Sequence, residues 1–166
     1  MRSPAATWHD DLVVELKTPA EIEAMRPAGR VVATVLARIR KQAAVGISTL
    51  ELDEIARVVL AEHGATSPFL HYQPSFAHSP FPAVICSSIN DAALHGIPSR
   101  YRLADGDLVS IDFGATLHNW TADAAVSFTV GTPRPADLRS PTSAPTRPPS
   151  PPTPNRPSHP WCSPRW

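Results

Sequence analysis

The stretch that decides the fold reads Leu108-Val109-Ser110-Ile111-Asp112-Phe113-Gly114-Ala115, and it is answered by Asp123-Ala124-Ala125-Val126-Ser127-Phe128-Thr129-Val130. Side chains on a strand alternate between two faces. Val109, Ile111 and Phe113 therefore share one face, and Ser110, Asp112 and Gly114 share the other. In the second run Ala124, Val126, Phe128 and Val130 oppose Asp123, Ala125, Ser127 and Thr129 in the same way. Both aspartates fall on the polar face. A hairpin turning near Leu117-His118 predicts that Asp112 and Asp123 are direct cross-strand partners, with Cβ atoms roughly 4.5–5.5 Å apart. Like charges so placed repel unless a cation lies between them or one carboxyl takes a proton. From spacing alone, two readings stand level: a metal-binding carboxylate pair, and two aspartates decorating a solvated hairpin face.

Upstream of the hairpin the pattern is helical. Thr18-Pro19-Ala20-Glu21 is a capping box with proline at the first helical position, so a helix starts there. Ile22, Met25, Gly29, Val32, Leu36, Ile39 and Ala43 follow at steps of three and four, predicting one apolar face. Pro27 removes a helical amide, which predicts a kink or a frayed first turn. Gly46 is expected to close this helix. Ser48-Thr49-Leu50-Glu51 opens a second helix, whose apolar positions Leu52, Ile55, Val59 and Leu60 lead to Gly64 as its carboxyl-terminal cap. Pro68, Pro74, Pro80 and Pro82 then mark a long loop, and Ala83-Val84-Ile85-Cys86 reads as a short strand. The order is α+β, without an internal repeat.

Composition divides the 166 residues unevenly. Of the 20 prolines, 12 follow Gly131, and from Arg139 onward there is no Asp, Glu, Val, Ile, Leu, Met or Phe. Three parts are expected: a disordered start over 1–11, a folded part over 12–138, and a disordered proline-rich tail over 139–166. Prolines 145, 148, 151, 154, 157 and 160 recur at the polyproline II period. Cys86 and Cys162 lack framework spacing, which argues against a disulfide scaffold. No apolar run suggests a signal peptide or a membrane span, so the expected location is cytoplasmic with no membrane partner. Near-neutral charge without a basic stripe and interleaved aromatics gives no electrostatic reason to expect nucleic acid, so no directly read nucleic acid is expected as a partner.

Several segments resemble bacterial type I methionine aminopeptidases of the M24 metallopeptidase family. They are Leu16 to Arg26 with Ala28-Gly29-Arg30, then Leu50-Glu51-Leu52-Asp53, Cys86-Ser87-Ser88-Ile89-Asn90-Asp91, His95-Gly96-Ile97-Pro98, and Asp105 to Asp112. They occur in the family's order and close to its spacing, over residues 12–138. The resemblance implies the amino-terminal half of a pita-bread fold, and removal of amino-terminal methionine from nascent proteins at a dinuclear centre of Co, Mn, Fe or Zn. It implies Asp112 and Asp123 as metal ligands and His95 as a catalytic residue that contacts the substrate. Cys86 and Tyr72 are implied in the pocket for the methionine side chain. Peptide or nascent-protein amino termini are the implied partners, with the ribosome a further candidate. Outside that context His95 reads as a solvated or structural histidine and Cys86 as core; His71, His78 and His118 read as surface loop.

The chain departs from the family pattern in three places. Thr121-Ala122 stands where the family commonly has His-Gly, and the loop from Tyr72 to Cys86 is longer than in many members. The family's remaining ligands, one histidine and two glutamates, have no counterpart after Asp137. The expectation is weak metal binding and an inactive chain, with the tail replacing a second half through a shifted reading frame or a misjudged gene end. Two alternatives stand beside it: a non-catalytic pita-bread binding module, and a half that assembles with another chain.

Overall fold

The computed structural model describes residues 16–134. The expected segments 1–11 and 139–166 lie outside the described residues, as do the ends of the 12–138 part. Two helices precede a three-stranded antiparallel sheet: α1 (Pro19–Gln42), α2 (Thr49–His63), β1 (Ile85–Ile89), β2 (Leu108–Leu117) and β3 (Trp120–Thr129), with β2 in the middle.

Both helix starts follow the local code. Thr18 accepts the Glu21 amide at 3.3 Å while Glu21 accepts the Thr18 amide at 2.7 Å, and Ser48 and Glu51 repeat the exchange at 3.2 and 2.7 Å. Each box satisfies amides that a helix start leaves without partners. The first turn of α1 is therefore capped rather than frayed, and the helix runs unbroken through Pro27. The carbonyl that Pro27 leaves without a helical donor belongs to Glu23, an exposed residue, so that solvent can reach it. Gly46 does not cap α1. The helix stops at Gln42 with Ala43 as cap, and Gly46 (φ 92°) occupies the turn that follows. Gly64 does cap α2, in the left-handed conformation at φ 61°.

The buried stripe of α1 is rotated from the expected one. Ala28, Val31, Val32, Val35 and Ile39 are buried, whereas Ile22 is 46% exposed and Leu36 is only partly covered. The cause is what lies beneath: α1 packs against β2, β3 and α2, and the valines fit the flat sheet face. Opposite them, Val109, Ile111 and Phe113 of β2 are fully buried, as alternation required. Leu52, Ala56 and Val59 of α2 close the same core.

Asp53 joins helix to sheet. Although buried, its carboxylate accepts the Val84 and Ile85 amides at 2.8 and 3.1 Å and pairs with Arg57 at 2.7 Å. An unpaired carboxylate there would be costly, and the amides and guanidinium together satisfy it. The start of β1 is fixed by this contact. β1 itself begins at Ile85, two residues later than the apolar run suggested.

Candidate functional site

The register of the hairpin places the aspartates. Gly114 lies opposite Asp123 and Ala125 lies opposite Asp112. The two carboxylates are thus diagonal neighbours on one face, a correction to the direct opposition expected from a turn at Leu117-His118. The turn is formed by His118 and Asn119, both left-handed (φ 51° and 64°), a two-residue link that matches strand twist. Hydroxyl pairs Ser110–Ser127 at 2.6 Å and Thr116–Thr121 at 2.8 Å hold the same register.

Asp112 and Asp123 remain close enough to share a hydrogen bond. Burial pushes the Asp112 carboxyl up from its ordinary value, and the charge of Asp123 and the hydrogen bond to it push the same way; the nearby His95 partly opposes them. Gly114 makes room for this pair. A Cβ there would lie 2.8 Å from Pro68 Cγ, 3.1 Å from Phe69 and 3.2 Å from the Asp123 carboxylate. No side chain fits without closing the space between strand and loop.

His95 reaches the same place by a different route. After β1 the chain turns at Asn90 (φ 56°), whose side chain donates to Asp107 at 2.8 Å and accepts the Leu108 amide at 3.1 Å. It then runs back along β1: the Ser87 amide donates to the Gly96 carbonyl at 2.7 Å, and the Gly96 amide donates to Ser88 Oγ at 3.3 Å. A Cβ on Gly96 would lie 2.1 Å from the Ser87 carbonyl oxygen. Only glycine permits this approach, and it fixes His95 (φ 54°), the residue before it. Asp107 anchors the far end by accepting the Ala104 amide and the Tyr101 hydroxyl, each at 2.8 Å. Burial pushes the Asp107 carboxyl up, but these bonds and the Asn90 amide outweigh it and hold the group below its ordinary value.

All five residues singled out from the sequence line one cavity of about 550 Å³: His95, Asp112 and Asp123 with Cys86 and Tyr72. That volume suits a small ligand or the end of a peptide. Cys86 is buried in a small apolar cluster with Phe81 and Ala83, against which Phe69 and Ile97 pack. Phe69, Phe81, Phe76, Pro68, Pro74 and Thr121 complete the lining. Pro68 and Pro74 are legible in the sequence only as loop markers and Thr121 only as a departure from the family pattern, while the three phenylalanines carry no signal there. The phenylalanines sit in a proline-rich loop without period, so only the fold could bring them to the hairpin. Gly114 was placed on the polar face, but its spacing role needed the loop's position. His71, His78 and His118 are exposed and outside the cavity.

The cavity lining joins an apolar cluster to an anionic pair, and the two meet where Cys86 lies across from Asp112 in the β1–β2 register. The two carboxylates supply hard oxygen donors of the kind a divalent cation takes, and the raised Asp112 carboxyl is the strain that a cation would relieve. They fit such an ion as two of its ligands. Among the described residues no group of three or more His, Cys, Asp or Glu side chains forms a larger set.

A model of metallopeptidase family M24 matches residues 23–140. The chain is 50% identical over 135 residues to methionine aminopeptidase 1 of Mycobacterium tuberculosis, covering 81% of this chain and 48% of that protein. It is 39% identical over 121 residues to the methionine aminopeptidase of Aquifex aeolicus, covering 72% and 47%. The crystal structure of methionine aminopeptidase from Thermotoga maritima superposes with a TM-score of 0.68 at 29% identity, over 75% of this chain and 48% of that one. The chain thus spans about half the length of the relatives it matches. Its fold is α+β, of the pita-bread type. On the match to residues 23–140 and the identity to these relatives, the chain belongs to metallopeptidase family M24.

Proposed function

We propose that the cavity is the methionine-binding side of a methionine aminopeptidase site, with Asp112 and Asp123 as metal ligands, His95 at the scissile peptide, and Cys86 and Tyr72 in the side-chain pocket. The observation that carries this reading is the convergence of those five residues, from three strands and two loops, on one cavity. The anionic pair draws the peptide's ammonium group, and the apolar cluster takes the first side chain out of water. Burying a methionine there is worth about 2 kcal/mol, and the aromatic rings favour its sulfur. An imidazole beside the carboxylates can donate to or accept from the first peptide bond, so His95 orients the substrate. The chemistry a divalent ion supplies when bound is activation of water and of a carbonyl. Two ions of Co, Mn, Fe or Zn are the proposed complement, held weakly by the two described ligands. The proposed partner is a peptide or nascent-protein amino terminus, in the cytoplasm, with the ribosome as the place of encounter. No helix among the described residues is long and apolar enough to cross a membrane. A non-catalytic module is not favoured, since the relatives are peptidases.

Thermal unfolding of the 166-residue chain with and without millimolar Mn²⁺ or Co²⁺ tests the ligand assignment. The metal should raise the midpoint of the wild type by a few degrees, roughly what occupancy several times Kd gives. Asp112→Asn and Asp123→Asn should each abolish the rise. An equal rise in the three proteins would place the metal elsewhere, and hydrolysis of a methionyl peptide tests the activity separately.

A further inference from the structure

The segment 73–80 lies outside helix and sheet, yet it is built rather than loose. The His71 amide donates to the Phe81 carbonyl at 2.8 Å and the Phe81 amide donates to the Tyr72 carbonyl at 2.9 Å, which closes the excursion at its base. Within it the Ala77 amide donates to the Pro74 carbonyl at 2.9 Å, and the Gln73 side chain donates to the Ala77 carbonyl at 3.2 Å. The result is an arm that springs from Tyr72 and Phe81, which line the cavity, and returns Pro74 and Phe76 to the cavity wall. Phe76 is 77% exposed there and Tyr72 60%, while Phe81 beneath them is buried. The arm reads Gln-Pro-Ser-Phe-Ala-His-Ser-Pro and contains no Asp, Glu, Lys or Arg. Among the residues that line the cavity, Asp112 and Asp123 are the two carboxylates.

These positions orient a bound peptide. On the proposed reading its ammonium group goes to the carboxylates and its first side chain to Phe81 and Cys86, and the Phe76 ring, 77% exposed, stands on the wall of the same cavity. A phenyl ring held in water beside an apolar pocket gains free energy by covering an apolar occupant, in proportion to the area it removes from water. A polar occupant offers it no such gain and loses its own hydration.

We propose that the 73–80 arm is a specificity element, in which Phe76 closes over the apolar side chain of a bound peptide's first residue and selects it against a polar side chain of similar length. This rests on the reading of the cavity as an aminopeptidase site.

Calorimetric titration of the full chain with the tripeptides Met-Ala-Ser and Gln-Ala-Ser tests it, because methionine and glutamine side chains are similar in length. The wild type should bind the methionyl peptide about tenfold or more tightly. Phe76→Ala should lose most of that preference with an unchanged far-ultraviolet spectrum, and Phe76→Leu should keep most of it. Amide exchange in 73–80 should slow on binding of the methionyl peptide to the wild type and not to Phe76→Ala. If Phe76→Ala keeps the full preference, the arm is not a specificity element and the aminopeptidase reading stands. If the wild type itself shows no preference, both fall.

Discussion

At the scale of single residues, the chemistry of the site depends on groups that never enter it. Asp107 immediately precedes β2 and ties this point to earlier parts of the chain through the Ala104 amide, the Asn90 side chain and the Tyr101 hydroxyl. Its carboxyl is held below the ordinary value of 3.8, so it binds protons less readily folded than unfolded. Its contribution to stability is therefore present above 3.8 and is lost as pH falls through its lower folded value. Asp107→Asn should cost about 2 kcal/mol near neutral pH, because a neutral amide replaces a charged acceptor of three hydrogen bonds. The difference from wild type should shrink as pH falls below 3.8. Urea unfolding of both proteins at pH 7 and pH 3 measures it, and a deficit equal at the two pH values would rule out the ionised carboxylate as its source.

At the scale of elements, the glycines separate packing from propensity. Gly96 lies against β1 with backbone 2.1 Å from where a Cβ would be, whereas Gly29, inside α1, has nothing within 4 Å of that position. Gly96→Ala should cost about 3 kcal/mol by lifting the His95 segment off β1, and Gly29→Ala should add up to about 1 kcal/mol through helix propensity. Chemical denaturation of the two variants checks the contrast; a stable Gly96→Ala protein would mean that the segment does not lie as closely on β1. The same scale shows what was legible in the sequence. Capping boxes span four residues, so Thr18–Glu21 and Ser48–Glu51 could be read directly. The faces of β2 and β3 could be read too, because a register error of two residues leaves every side chain on its own face. The register itself was missed since His118-Asn119 lacks the glycine that usually marks such a turn. Which stripe of α1 is buried depends on the sheet beneath it, and periodicity alone pointed to the neighbouring stripe through Ile22 and Leu36. The phenylalanines of the cavity wall were illegible for the same reason, being joined to the hairpin only by the tertiary fold.

At the scale of the molecule, the sheet raises a question of exposure. β2 is flanked on both sides, by β1 and β3, and its end is further paired to Thr66 through bonds of 3.0 and 2.8 Å. Among the described residues, β3 has no strand on its outer side. Proteins guard such edges with lysine, proline or a bulge. Between Trp120 and Thr129 there is none of the first two, and Asp123 is the single charge. The strand is also long and regular, pairing with β2 at every position from Trp120 to Thr129. An edge of this kind is a template for another strand, so the chain should self-associate as its concentration rises. Ala124→Lys should suppress the association, because a charge on the edge opposes pairing between copies. Ala124 is exposed and points away from the carboxylate face, so the metal response of Asp112 and Asp123 should survive. Sedimentation velocity from micromolar to near-millimolar protein decides the matter: the wild-type coefficient should climb with concentration while that of Ala124→Lys stays flat. A wild-type coefficient that does not change would mean that the β3 edge is not open to pairing in the intact chain, and that the stability of this sheet owes nothing to a neighbour.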